Sequence, residues 1–167
     1  PVAVPHHCRS HGVDSGLFRP IPRDKLLIHN LAMDPEVPIV LFVGRLTADK
    51  GLDTLIGALR LLRIEGIGLQ LLVLGAQDEE DSSHYRERLE AGGAAVRVIG
   101  HLRDVRPYIA AAHLLVLPTR REGMPNVVLE AAAMGVPSVT TTATGAIDSV
   151  VDDETGILVS PDNPGDL

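Results

Sequence analysis

The chain has no tryptophan, and its 167 residues include only two tyrosines and two phenylalanines. So few rings cannot build a stacking platform for single-stranded nucleic acid. There is one cysteine, Cys8. That excludes an internal disulfide framework and a Cys-rich zinc site, and makes a reducing, cytoplasmic compartment the expectation. Positive charge is scarce: 22 Asp and Glu stand against 15 Lys and Arg, for a formal net charge of −7. An acidic surface argues against nucleic-acid partners and supplies no membrane-docking patch within this chain. Apolar runs such as Leu114–Leu117 fall far short of a membrane span. No basic segment followed by an apolar stretch opens the chain, so no secretory signal is read. Among the basic residues only Lys25 and Lys50 are lysines, so each invites inspection.

What is present is apolar patterning. Hydrophobic residues make up 45% of the chain, and the length suits one domain with a buried core. Residues 1–36, rich in Pro, His, Gly and Asp, read as a linker and domain entry segment. Residues 37–167 read as the domain. Ile39–Val43 is a continuous apolar run closed by Gly44, the pattern of a strand buried on both faces. Leu52, Leu55, Ile56, Leu59 and Leu62 follow at helical spacing, which predicts a helix over 51–64. Further strands are expected at 69–74, 96–99, Leu114–Leu117, 136–141 and 157–159. Helices are expected at 82–91, 104–112 and 125–134. This alternation predicts an α/β domain, a Rossmann-like parallel sheet with helices on both faces. Ligands on such sheets bind beyond the carboxyl ends of the strands. The loops after Val43, Leu74, Ile99, Leu117 and Thr141 are therefore the places to search.

Familiar fingerprints are missing there. No G-x-G-x-x-G follows a strand, and no G-x-S-x-G is present. The loop after the first long strand does not satisfy G-x-x-x-x-G-K-[ST], because Lys50 precedes Gly51. That loop, Gly44-Arg45-Leu46-Thr47-Ala48-Asp49-Lys50-Gly51, still places two cations near the amino end of a helix, where anions are favoured. Arg45 offers a fork to phosphate oxygens and Lys50 a movable point charge, so together they can hold a diphosphate without a metal. A solvated loop with two surface cations is the alternative. The loop after Leu117 runs Arg120-Arg121-Glu122-Gly123-Met124-Pro125-Asn126-Val127-Val128-Leu129-Glu130. Its carboxylates can accept hydrogen bonds from sugar hydroxyls, and Gly123 lets the backbone approach a ligand. Glu130, flanked by Val127, Val128, Leu129, Ala131 and Ala133, should be partly buried and in need of partners. A glycosidase using Glu122 and Glu130 is weakened by their spacing, about 12 Å for eight helical residues against carboxylate pairs about 5–9.5 Å apart.

These two segments resemble the nucleotide-sugar glycosyltransferases called group 1 or family 4. Glu122 and Glu130 match that family's E-x7-E motif. Gly12-Val13-Asp14 with Phe18, and Gly156-Ile157-Leu158-Val159, resemble two further motifs in the family's order. The resemblance implies the C-terminal half of a GT-B fold, whose preceding acceptor-binding domain is expected before Pro1. It implies a nucleotide-sugar donor, transfer with retention of configuration, and no cofactor or essential metal. Arg45 and Lys50 would contact the diphosphate. Glu122 would hold a hydroxyl of the transferred sugar and Glu130 the ribose hydroxyls. Gly44 and the backbone of Gly123, Met124, Pro125, Asn126 and Val127 would line the donor. Gly100, His101 and Leu102 would lie against the base. Arg45, Lys50 and Glu122 are the expected catalytic residues. Acceptor contacts, and any peripheral association with the inner face of the cell membrane, would come from the preceding domain. The chain alone is expected to fold but not to transfer sugar.

Other readings compete. A nucleotide-binding module without transfer activity, a nucleotide-sugar epimerase of similar fold and a glycoside hydrolase would each use some of these residues. His6, His7, Cys8 and His11 read as linker rather than as a metal site. Asp78-Glu79-Glu80-Asp81 reads as a solvated acidic loop and Asp152-Asp153-Glu154 as a turn. His101 and His113 read as structural or near the base rather than catalytic.

Overall fold

The computed structural model describes residues 12–75, 81–92 and 94–167. The histidine cluster of residues 6–11 with Cys8, and the acidic residues 78–80, lie outside the described residues.

Among the described residues six strands form one parallel sheet: β1 (Ile39–Val43), β2 (Gln70–Leu74), β3 (Ala95–Ile99), β4 (Leu114–Leu117), β5 (Ser138–Thr141) and β6 (Gly156–Val159). Their spatial order is β3-β2-β1-β4-β5-β6. The register sets Ile39 against Gln70 on one side of β1 and Val40 against Leu114 on the other. Every residue of β2 is buried, as a strand covered on both faces requires. Edge strand β3 alternates instead, with Ala95 and Arg97 exposed. Right-handed crossovers place α2 (Leu52–Ile64) and α3 (Asp81–Glu90) on one face, and α4 (Arg106–Ala111) and α5 (Asn126–Ala133) on the other. On α2, Leu52, Leu55, Ile56 and Leu59 are buried at helical spacing against the sheet. The core centres on Leu41, Phe42, Ile56, Leu71, Leu72, Leu74, Ile109 and Leu115. No helix among the described residues is long and apolar enough to cross a membrane.

Two differences from the sequence reading matter. The stretch expected to be linker contains a helix, α1 (Lys25–Asn30). Asp24 caps it by accepting from the N–H groups of Leu26 and Leu27 at 2.9 and 3.0 Å. Its Ile28 is fully buried, so this part of the entry segment belongs to the core. The other difference lies after β1, where Ala48–Lys50 forms a 3-10 turn rather than open loop. Gly51, at φ 71°, closes that turn and starts α2. The left-handed conformation suits glycine, and a Cβ there would lie 1.7 Å from the Pro118 carbonyl oxygen. β1 and β4 have the expected bounds, and the other elements differ by one or two residues at their ends, where fraying and capping decide the boundary.

The strand order changes direction between β1 and β4. On an open parallel sheet this topological switch point opens a crevice between the loops that leave the two strands.

Candidate functional site

The loops after β1 and β4 meet at backbone level above that crevice. The Asp49 carbonyl oxygen accepts from the Arg120 N–H at 2.9 Å, and the Thr119 hydroxyl lies 3.1 Å from it. Thr119 is fully buried. The loop after β5 supports the β4 loop from beside it. Glu122 donates its N–H to the Thr144 carbonyl at 3.2 Å. Gly145, at φ 81°, packs so closely that a Cβ would sit 1.6 Å from the Gly123 carbonyl oxygen. Three loops therefore hold one another, each leaving the carboxyl end of a different strand.

This framework joins Lys50 and Glu122. The Lys50 ammonium donates to Glu122 Oε1 across the switch point. Both side chains are largely shielded, at 15% and 16% exposure. Arg45 is more open and its guanidinium lies 3.6 Å from the Asp49 carboxylate. Asp49 also accepts from the Thr47 hydroxyl, and that bond holds its carboxyl below the usual range, with Lys50 and Arg45 adding to the effect. Lys50 from one loop thus meets the Glu122 carboxylate from the next, while Arg45 pairs within its own loop.

Beside this pair is a cleft of about 260 Å³ at the ends of β1, β2 and β3. Its lining includes Gly44, Arg45, Leu74, Gly75, His101 and Leu102. The chain passes tightly at its floor: a Cβ on Gly75 would lie 2.0 Å from the Gly44 carbonyl oxygen. The Lys50 stem runs past Gly44, with Cγ 3.9 Å from the ideal Cβ position, so the cleft and the ion pair adjoin.

Of the expected site residues, Lys50 and Glu122 touch, and Gly44, Arg45, His101 and Leu102 share the cleft. Gly100 follows β3 but is not among the lining residues. Gly123, Met124 and Pro125 lead from Glu122 into α5, whose N-terminus has no side-chain cap. Asn126 and Val127 form its first turn. Glu130 sits in the middle of that helix, half-buried, and makes no side-chain hydrogen bond among the described residues. Burial raises its carboxyl above the ordinary value. Among the described residues, the partners its environment calls for are absent. His113 lies at the opposite end of the sheet, where its Nδ1 accepts from the Ile39 N–H at 2.9 Å. Burial lowers its pKa, with Arg23 adding to the effect. Asp152 accepts from the Leu158 N–H at 2.9 Å and Asp153 takes φ 62°, so that acidic run is a turn.

The sequence reading placed Arg120 in the candidate loop without giving it a role, and missed Thr119, Gly145 and Asp162. Arg120 Nε donates to Asp162 Oδ1 at 2.5 Å, and its Nη1 to the Ala48 carbonyl at 3.2 Å. Nothing local in the sequence marks these contacts, which span 42 and 72 positions.

Residues 37–167 match the model of a family described as glycosyl transferases group 1. The capsular polysaccharide biosynthesis glycosyltransferase CapM of Staphylococcus aureus is 38% identical over 122 residues, covering 72% of this chain and 32% of CapM. A sucrose-phosphate synthase structure from Thermosynechococcus elongatus superposes with TM-score 0.76 at 30% identity, covering 93% of this chain and 39% of that one. The Anabaena HepE structure in complex with UDP-glucose superposes with TM-score 0.79 at 25% identity, covering 92% and 43%. The chain spans between 30% and 42% of the length of the curated relatives it matches.

Proposed function

The chain belongs to the group 1 glycosyl transferases, and we propose that it is the donor-binding, C-terminal half of a retaining GT-B enzyme. That enzyme would move a sugar from a nucleoside diphosphate to a glycan, lipid or small-molecule acceptor. The observation that carries the reading is the Lys50–Glu122 contact above the switch point, next to the cleft lined by Gly44, Arg45, His101 and Leu102. In a nucleotide sugar the distal phosphate and the sugar are covalent neighbours. A cation and a carboxylate already in contact suit those two neighbours, with Lys50 on the phosphate and Glu122 on a sugar hydroxyl. The adjoining cleft would take the base, and Glu130, half-buried without a partner among the described residues, would receive hydroxyls of the ribose.

The chemistry follows from charge. Cleaving the bond between anomeric carbon and phosphate oxygen leaves its electron pair on the diphosphate and positive charge on the sugar. Arg45 and Lys50, carried on a loop that is already folded, stabilise the departing anion once the donor has drawn them from Asp49 and Glu122. This reading assigns that task to side chains rather than to an essential metal ion. The HepE complex with UDP-glucose and the capsular polysaccharide role of CapM are both compatible with such a donor. Acceptor binding, and any contact with a membrane surface, is assigned to the remainder of the enzyme.

The test has two parts. Calorimetric titration of this chain with UDP, GDP and ADP should find binding to at least one. The full-length enzyme, given the corresponding sugar nucleotide and an acceptor, should yield a glycoside with the donor's anomeric configuration by NMR. Release of a free epimer would instead identify an epimerase. Absence of binding to every nucleotide would reject the donor-binding role.

A further inference from the structure

The Lys50–Glu122 pair depends on where the Ala48–Lys50 turn sits, and two side chains of the β4 loop hold that turn from outside: Thr119 on the Asp49 carbonyl and Arg120 on the Ala48 carbonyl. We propose that Arg120 is a positioning residue for sugar transfer, anchored by Asp162 and holding the Lys50 turn in register with Glu122. The inference rests on the donor-binding role proposed above.

Arg120 stands two residues before Glu122 and makes three links. Its N–H donates to the Asp49 carbonyl at 2.9 Å, its Nη1 to the Ala48 carbonyl at 3.2 Å, and its Nε to Asp162 Oδ1 at 2.5 Å. The first two grip successive carbonyls of the turn that carries Lys50. The third fixes the guanidinium against a separate part of the chain, the segment after β6. A planar guanidinium with donors in a rigid fork is suited to bridging the Ala48 carbonyl and the Asp162 carboxylate.

Asp162 is itself built to receive it. The residue adopts φ 58°, a left-handed conformation that glycine takes most easily and that aspartate is among the few other residues to tolerate. Aspartate is thus one of the few residues that can place a carboxylate here. The segment is also anchored rather than loose. Pro164 packs so tightly on α2 that a Cβ on Gly57 would lie 2.8 Å from its ring, and Leu167 packs against the core.

The pair is too exposed to matter much for stability, at 39% and 56% side-chain exposure. Its value lies in geometry. Releasing the guanidinium leaves the backbone bond from Arg120 to Asp49 intact, so the fold should persist. The turn would then have freedom to shift, and displacements near 1 Å at a reacting centre cost about a hundredfold in rate.

The experiment uses full-length enzyme with whichever of UDP-glucose, GDP-mannose or ADP-glucose the wild type turns over. Arg120→Met should lower kcat by about tenfold to a hundredfold, with KM for the donor changed less than about threefold. Arg120→Lys should recover part of the loss. Asp162→Asn should lower kcat in the same direction. Combining Asp162→Asn with Arg120→Met should add little, because the two act through one contact. Melting temperatures of the single variants should stay close to wild type. A kcat for Arg120→Met within twofold of wild type would overturn the inference. So would a large fall in melting temperature that Arg120→Lys does not repair, since that describes a structural role. If the wild type turns over none of the donors and binds no nucleotide, the donor-binding reading fails first and the inference falls with it.

Discussion

The Lys50 ammonium hydrogen-bonds to the Glu122 carboxylate, joining the loop after β1 to the loop after β4 where the strand order reverses. A ligand that takes both groups must part them, because they are in direct hydrogen-bond contact. Without a donor, each compensates the other's charge. With a donor present, the cation faces phosphate and the carboxylate faces hydroxyls. The two substitutions should therefore separate. Lys50→Ala should weaken binding of nucleoside diphosphate and sugar nucleotide alike, and lower kcat of the full-length enzyme by about a hundredfold to a thousandfold. Glu122→Ala should weaken the sugar nucleotide while sparing the nucleoside diphosphate. Calorimetry on both ligands reads the difference, and wild-type turnover by Lys50→Ala would end the assignment.

The framework beneath that pair predicts a contrast between two glycines with nearly the same backbone angle. At Gly66, with φ 75°, an added Cβ would meet nothing within 4 Å, whereas at Gly145, with φ 81°, it would lie 1.6 Å from the Gly123 carbonyl oxygen. Gly66→Ala costs only the left-handed conformation, about 1–2 kcal/mol. Gly145→Ala adds a backbone clash, so its loss in denaturant unfolding should exceed that of Gly66→Ala. Equal losses would mean that the β5 loop yields freely and does not brace Glu122.

The sheet was legible because its signal is local. Runs such as Ile39–Val43 and Leu114–Leu117 are apolar throughout, and each ends at Gly or Pro. Such runs suit strands buried on both faces. Helix α1 was hidden because Pro20, Pro22 and His29 mark its surroundings as loop, although Asp24 before Leu26, Leu27 and Ile28 is a capping signal. The candidate site divides in the same way. Lys50 and Glu122 could be picked out from their places after strands and from the E-x7-E spacing. Arg120 and Asp162 could not. Their use depends on a carbonyl of the β1 loop and a left-handed turn after β6, which come together only when the sheet has formed.

Glu130 predicts a conflict between stability and binding. Burial raises its carboxyl above the ordinary 4.5. The unfolded chain therefore loses this proton first, and holds fewer protons than the folded chain as pH rises from about 4.5. Stability attributable to this group falls across that window and stays reduced above the folded pKa; below 4.5 the penalty is absent. Glu130→Gln should accordingly be more stable than wild type at about pH 7, with the gap closing at about pH 4. The same change should weaken nucleotide binding by roughly tenfold, because an acceptor charge for the ribose hydroxyls is lost. Parallel denaturant curves at the two pH values, together with a binding isotherm, decide it. Unchanged stability at the higher pH would show that water already solvates the carboxylate in full.

The cleft yields the simplest measurement. A ligand that binds only the folded chain stabilises it by about 2.7 kcal/mol at a hundred times its Kd. In a domain of this size each kcal/mol moves the melting temperature by about 2–4 °C. The preferred nucleoside diphosphate should therefore raise it by about 5–10 °C. Leu102, partly buried on the cleft wall, is the residue to enlarge. Leu102→Trp puts an indole into a space of about 260 Å³, so it should leave the ligand-free melt close to wild type and remove most of the shift. Lys50→Ala should reduce the shift by a different route, through the diphosphate, and inorganic pyrophosphate separates the two. Pyrophosphate should protect the Leu102→Trp chain as it protects wild type, and fail to protect Lys50→Ala. If Leu102→Trp retains the full nucleotide shift, the base does not enter this cleft, and the donor must lie across the Lys50–Glu122 pair in another direction.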